Sequence, residues 1–132
     1  MNYLKDIKSF HSHDGCLTAF EPSVLEDFMV ERVFWIYNVP PQSVRAEHAC
    51  MNAELVLVAV NGSLTISLEN HKERVSFILN NKETALIVEP GMWIQAYDFS
   101  EDGVLMCLSD KKYEDCIYID NYDEYMRMEV KQ

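Results

Sequence analysis

The chain has 132 residues, of which 48% are apolar, and a formal net charge of −11. That length suits a single domain over residues 1–132 and one buried core without disulfides or a structural metal. So large an excess of acid opposes nucleic-acid phosphates and anionic lipid, and no apolar run approaches the roughly 18 residues of a membrane span, so neither nucleic acid nor membrane is expected as a partner.

The opening segment, MNYLKDIKSFHSHDG, is polar and lacks the apolar stretch of a signal peptide, and His11 and His13 within it read as solvated surface. Strands are then predicted at 17–21 and 32–38, with a helical turn or two over 23–30 between them. Further strands follow at 44–50 and 54–60, and Asn61-Gly62 between apolar runs is the signal of a two-residue hairpin. Residues 63–69 alternate polar and apolar, as in a strand with one wet face, whereas 55–60 are apolar throughout and call for cover on both sides. The far sheet on one side and a partner subunit on the other would supply that cover. Strands at 74–79, 85–89, 92–99, 104–109 and 116–120 complete the series, with His71 solvated in the turn 70–73 and a short helix over 122–130. An acidic stretch from Asp110 to Glu124 reads as a solvated face. Strands recurring about every ten residues between turn signals point to an all-β chain, and a small jelly-roll barrel fits better than an open sheet.

Cys16, Cys50, Cys107 and Cys116 stand alone, without a CxxC pair, which reads as reduced thiols in the cytoplasm. The most informative segment is Val44-Arg45-Ala46-Glu47-His48-Ala49-Cys50. In a regular strand Val44, Ala46, His48 and Cys50 share a face, with His48 and Cys50 about 6.5–7 Å apart at a rise of ~3.3 Å per residue. That separation suits two groups addressing neighbouring atoms of one small ligand; a hydrogen-bonded core histidine beside a core cysteine is the plainer alternative. His48, Cys50 and Glu54, followed by Gly62, also mimic a metal-binding spacing, but Ile94 stands where the fourth ligand belongs, so no metal is expected. Trp35 and Tyr37, and Trp93, Tyr97 and Phe99, form aromatic stripes at period two, suited to a core or to stacking on a base or sugar.

These residues resemble a known family. Arg32-Val33-Phe34-Trp35-Ile36-Tyr37 and Arg45-Ala46-Glu47-His48-Ala49-Cys50 are similar to the R-V-x-Y-I-x…R-G-x-H-A-H block of the dTDP-4-keto-6-deoxyglucose 3,4-ketoisomerases, the WxcM-like cupins. Val58-Ala59-Val60-Asn61-Gly62-Ser63 resembles that family's L-x-G-S turn, and Glu89-Pro90-Gly91-Met92-Trp93 with Tyr97-Asp98-Phe99-Ser100 its P-x-x-W-H-x…D-F-S segment. Leu105 to Tyr125 resembles its closing L-A-S-D-x-Y-x-E-x-x-Y-I-R-x-Y-D-x-F.

The resemblance implies a cupin homodimer with exchanged N-terminal strands, acting without a cofactor on a dTDP-linked keto-deoxy sugar. Moving a ketone from C4 to C3 requires removal of the C3 proton, an enediol, and protonation at C4, which two acid/base groups can carry. His48 stands at the first catalytic position and Cys50 at the second, where the family has histidine. Arg45 would meet diphosphate or sugar, while Tyr37, Trp93, Tyr97 and Trp35 would line the pocket. Ala46 replaces the family's glycine, Met51 its lysine, Leu55 its glutamine and Ile94 its histidine after tryptophan. These departures predict a slowed isomerase or, alternatively, a non-catalytic sugar-nucleotide-binding relative or a partner subunit of another deoxysugar enzyme.

Overall fold

Apolar residues that recur at every second position can be buried only if two sheets face one another. The computed structural model, which describes residues 3–21, 25 and 27–128, has that architecture. Its strands are β1 (Leu4–Asp6), β2 (Lys8–Ser12), β3 (Gly15–Ala19), β4 (Arg32–Tyr37), β5 (Arg45–Cys50) and β6 (Leu55–Asn61). There follow β7 (Leu64–Glu69), β8 (Arg74–Leu79), β9 (Thr84–Val88), β10 (Trp93–Tyr97), β11 (Val104–Ser109) and β12 (Tyr118–Ile119), then the helix α1 (Tyr122–Arg127). One sheet runs β1-β9-β6-β11-β4 and the other β12-β5-β10-β7-β8, while β2 and β3 form a separate hairpin. The chain is all-β with the layers of a cupin-like jelly roll, although its hydrogen-bonded ladders do not close into a continuous barrel.

The core lies between the sheets. Leu55, Leu57, Leu86, Leu105 and Cys107 from one meet Cys50, Leu64, Ile66, Leu68 and Ile94 from the other. The outward residues of β6, Val56 and Val58, are also buried, against Ala85, Ile87, Leu108 and Phe28, with Ile7 and Phe20 packed on them. The second cover that β6 needed is therefore the chain's own N-terminal segment rather than a partner. β1 pairs with β9 of the same chain, Leu4 opposite Leu86.

Asn61-Gly62 does not close a hairpin. β6 pairs with β9 and β11, whereas β7 pairs with β8 and β10, so this turn carries the chain from one sheet to the other. Gly62 is required there: its φ is +61°, and a Cβ would stand 2.3 Å from Ser100 Oγ and 2.9 Å from Gly103 Cα. The hairpin the polar opening conceals is β2–β3, with Ser12 opposite Gly15. Of the helix predicted over 23–30, residues 23, 24 and 26 lie outside the described residues, and 25 and 27–30 are not helical. The terminal helix is α1, begun by Asn121, whose side chain accepts from the Glu124 N–H at 2.8 Å. The predicted helix end at 129–130 lies outside the described residues. α1 lies across the outer face of β10 and β5: Tyr125 is buried beside Trp93 and Ala49, and its hydroxyl donates to the carbonyls of Glu69 and Gly91. His71 is not free in solvent, since its ring stacks on Tyr125 and its Nε2 sits 3.0 Å from the Tyr125 carbonyl.

Candidate active site

The site is built around a fault in β5. Opposite β10, Ile94 pairs with His48 but Gln95 pairs with Ala46, so Glu47 is an extra residue in the strand. Ala46 (φ +71°) and Glu47 (φ +57°) both take the left-handed conformation that makes such a bulge. A one-residue bulge reverses the phase of the side chains that precede it. Arg45, which strict alternation would send to the other face, comes opposite Ala96, and Val44, Arg45, Ala46, His48 and Cys50 all line one cavity of about 600 Å³. The floor is apolar, formed by Leu55, Leu57, Ile94, Ala96, Leu105 and Cys107, and Phe34, Trp35 and Ile36 of β4 make one wall.

Sequence reasoning missed the polar wall, which comes from Arg32, Tyr113, Tyr118 and Asp120. The Arg32 guanidinium lies 4.1 Å from the Phe34 ring centroid and 5.0 Å from that of Tyr113, and its Nη1 donates to Tyr118 Oη at 3.2 Å. Tyr118 meets the His48 ring edge-on, with centroids 4.8 Å apart. Burial and the Cys116 thiol push the Tyr118 hydroxyl up to about 12, so it stays protonated. The available signals were short: Arg32 begins a strand whose inward residues are Phe34 and Ile36, and Tyr118 and Asp120 sit inside an acidic stretch that reads as solvated.

His48 lines the cavity as an uncharged imidazole. Its Nδ1 is buried and has no hydrogen-bond partner. Burial lowers its pKa below the ordinary imidazole value, its own backbone and then the Asp120 carboxylate oppose that, and Arg32 adds a smaller lowering, so the ring is neutral at neutral pH. Cys50 is the reverse. Its thiol is pushed up, chiefly by burial and further by the adjacent Cys116, and its Sγ donates to Asn52 Oδ1 at 3.5 Å. Backbone N–H groups of Asn52 and Ala53 oppose that rise, and among the described residues no imidazole hydrogen-bonds the Cys50 thiol.

The remaining predicted pocket residues divide. Trp35 lines the cavity and is 59% exposed at its mouth. Tyr37 lines two shallower hollows of about 320 and 410 Å³ beside it, the second shared with Arg45. Trp93 and Tyr97 point away from the cavity: Trp93 is buried beneath α1, and Tyr97 Oη lies 2.9 Å from Ser67 Oγ on the outer face. On β10 it is Ile94 and Ala96 that face inward, so the aromatic stripe belongs to the other side of the sheet. Glu54 is not among the cavity's lining residues, and among the described residues no three His, Cys, Asp or Glu side chains converge as metal ligands.

Known proteins resemble this chain over nearly its whole length. The TDP-4-oxo-6-deoxy-alpha-D-glucose-3,4-oxoisomerase of Aneurinibacillus thermoaerophilus is 30% identical over 130 residues, covering 98% of this chain and 94% of that protein. A 3,4-ketoisomerase from Helicobacter canadensis superposes with a TM-score of 0.89 at 30% identity, covering 96% of each chain. WlaRA, a TDP-fucose-3,4-ketoisomerase from Campylobacter jejuni, does so with a TM-score of 0.85 at 34% identity, covering 96% of this chain and 94% of that one. The sequence also matches, over residues 1–130, the family described as FdtA: WxcM-like, C-terminal. The chain belongs to the WxcM-like, C-terminal (FdtA) family.

Proposed function

We propose that the chain is a cytoplasmic 3,4-ketoisomerase of a dTDP-linked 4-keto-6-deoxy-hexose, with residues 1–132 working as one catalytic unit. The observation that carries this reading is His48, a neutral imidazole whose buried Nδ1 has no partner, beside a cavity of sugar size. His48 takes the proton from C3, leaving an enediolate between C3 and C4. The proton of the 3-hydroxyl passes to the oxygen on C4, and protonation at C4 then leaves a ketone at C3 and a hydroxyl at C4. A thiol held protonated cannot be the base, so Cys50 is limited to donating a proton towards C4 or to shaping the wall beside His48. The imidazolium formed in the first half restores whichever proton is given up. Arg45 faces the diphosphate at the mouth, Trp35 and Tyr37 flank it, and the apolar floor suits a sugar that has lost its 6-hydroxyl.

Conversion is followed by proton NMR, as 3-keto sugar formed from dTDP-4-keto-6-deoxyglucose. His48→Asn is expected to lower the rate by about 10²–10⁴, the usual worth of a placed acid/base group. Turnover unchanged in that variant would remove His48 from the chemistry. The raised Cys50 thiol and the apolar Ile94 opposite His48 favour a second reading, a sugar-nucleotide-binding cupin without turnover. Calorimetric binding of dTDP with no conversion would select it.

The assembly we infer is a homodimer. Val33, Trp35 and Tyr37 leave the outer face of β4 exposed, and Phe10 and Leu17 do the same for one face of the β2–β3 hairpin. Each is an exposed apolar face of the kind a second subunit covers, and that of β4 reaches the cavity mouth at Trp35.

A further inference from the structure

The β2–β3 hairpin carries a second group of chemistry-bearing side chains, none of them among the residues that line the His48 cavity. Its register sets Ser9 opposite Thr18 and His11 opposite Cys16, so these four share one face, while Phe10 and Leu17 pair in between and point to the other. The polar face is ordered: Ser9 Oγ and Thr18 Oγ1 are 2.8 Å apart, and Cys16 Sγ lies 3.2 Å from His11 Nδ1. The other ring nitrogen of His11, Nε2, bonds the Glu83 carboxylate, which comes from the loop between β8 and β9. Glu83 is itself fixed, since its N–H donates to Asn81 Oδ1 at 2.7 Å and its carbonyl accepts from the Ile7 N–H at 2.7 Å. His11 and Ser9 hold its carboxyl below the usual carboxylate range.

A sulfur within reach of one imidazole nitrogen, with the other nitrogen on a carboxylate, is the arrangement of an activated nucleophile: the carboxylate orients the ring and the ring takes the thiol proton. We propose that Cys16, His11 and Glu83 act as such a triad, making Cys16 a site of mixed-disulfide formation with low-molecular-weight disulfides. His11 takes the proton from Cys16, the sulfur attacks one sulfur of the small disulfide, and that S–S bond breaks as the new one forms. The departing thiolate takes the proton from His11. The balance is one Cys16 thiol plus one disulfide giving one mixed disulfide plus one small thiol, with no other oxidant.

The surroundings favour reaction at Cys16. Cys16 is exposed, whereas Cys116 is half-buried, Cys50 and Cys107 are buried, and burial pushes Cys107 up to about 12. Other charged groups of the hairpin are engaged elsewhere: Lys8 sits over the Phe10 ring, and His13 pairs with Asp14 at 3.1 Å in the turn. The triad lies on the face of the hairpin opposite Phe10 and Leu17.

The test uses the intact protein and dithiodipyridine, a neutral disulfide, with the modified cysteine identified by mass mapping. At pH 6, Cys16 is expected to react at least about tenfold faster in the wild type than in His11→Asn, because an unaided thiol is almost wholly protonated there. At pH 9 the gap should fall below about threefold, since thiols then ionise without a base. Glu83→Gln is expected to slow the pH 6 reaction less than His11→Asn, as befits a residue that positions the ring. Equal rates at pH 6 in the wild type and His11→Asn would overturn the proposal, and so would a fast phase that survives Cys16→Ser.

Discussion

Ala46 sits where glycine would be at ease, and replacing it tests the bulge that brings Arg45 into the cavity. At φ +71° an L side chain is strained by ~1–2 kcal/mol, which Ala46→Gly would relieve. Against this, glycine adds ~0.4–1 kcal/mol of unfolded-state entropy, and a half-buried methyl is worth a few tenths. The net expected change is neutral to about 1 kcal/mol stabilising. Ala49, three residues on, is fully buried in the same strand on ordinary extended backbone. Ala49→Gly there loses ~0.8 kcal/mol for the methyl and ~0.5–1 for the backbone, with no strain to recover. The two variants should therefore differ by about 2 kcal/mol in urea unfolding followed by tryptophan fluorescence. Equal losses in both would show that β5 runs straight through Ala46 and that the account of Arg45 is wrong.

Four other outcomes are expected. Because burial lowers the His48 pKa, the acid limb of kcat/KM should fall below the ordinary imidazole value, moving lower still in Asp120→Asn and higher in Arg32→Met. The same burial makes the folded state bind its proton less readily than the unfolded one, so the contribution of His48 to stability is complete above about pH 6.5 and is lost as pH falls below it. Elemental analysis of untagged protein should find no stoichiometric zinc or iron; about one metal per chain, lost in Cys50→Ser, would revive the spacing of His48, Cys50 and Glu54. Light scattering at micromolar concentration should give a dimer, with Trp35→Glu shifting it towards monomer, and a monomeric wild type would remove the inferred interface.

Much of the fold was legible because the period-two pattern is set by burial. Strands from 32–38 onward fall where alternation put them, within a residue or two at each end. What alternation cannot show is which sheet a strand joins. Asn61-Gly62 has the composition of a hairpin, but the left-handed turn at Gly62 serves equally to step between layers, and only long-range pairing decides. The β2–β3 hairpin was hidden by its polarity, although Asp14-Gly15 was a usable signal. In the site, His48 and Cys50 were legible from their two-residue spacing, and Arg45 from resemblance alone, since the bulge that turns it inward has no signature in an Ala-Glu pair. Trp93 and Tyr97 went astray because a stripe of aromatics does not say which face it covers, and α1 claims Trp93. Arg32, Tyr118 and Asp120 converge from opposite ends of the chain, a juxtaposition that only the fold creates.

The central claim is that His48 moves a proton between neighbouring sugar carbons while Cys50 and Ile94 limit the second transfer. Proton NMR of dTDP-4-keto-6-deoxyglucose in D₂O, following deuterium entry at C3 together with 3-keto product, tests it most directly. We predict exchange at C3 in the wild type, its loss in His48→Asn, and faster product formation when Cys50→His and Ile94→His are combined, the second placing an imidazole directly opposite His48. Undiminished exchange in His48→Asn would contradict the account, as would loss of deuterium entry at C3 in Cys50→Ala with His48 intact, since a thiol held protonated would then be the working base.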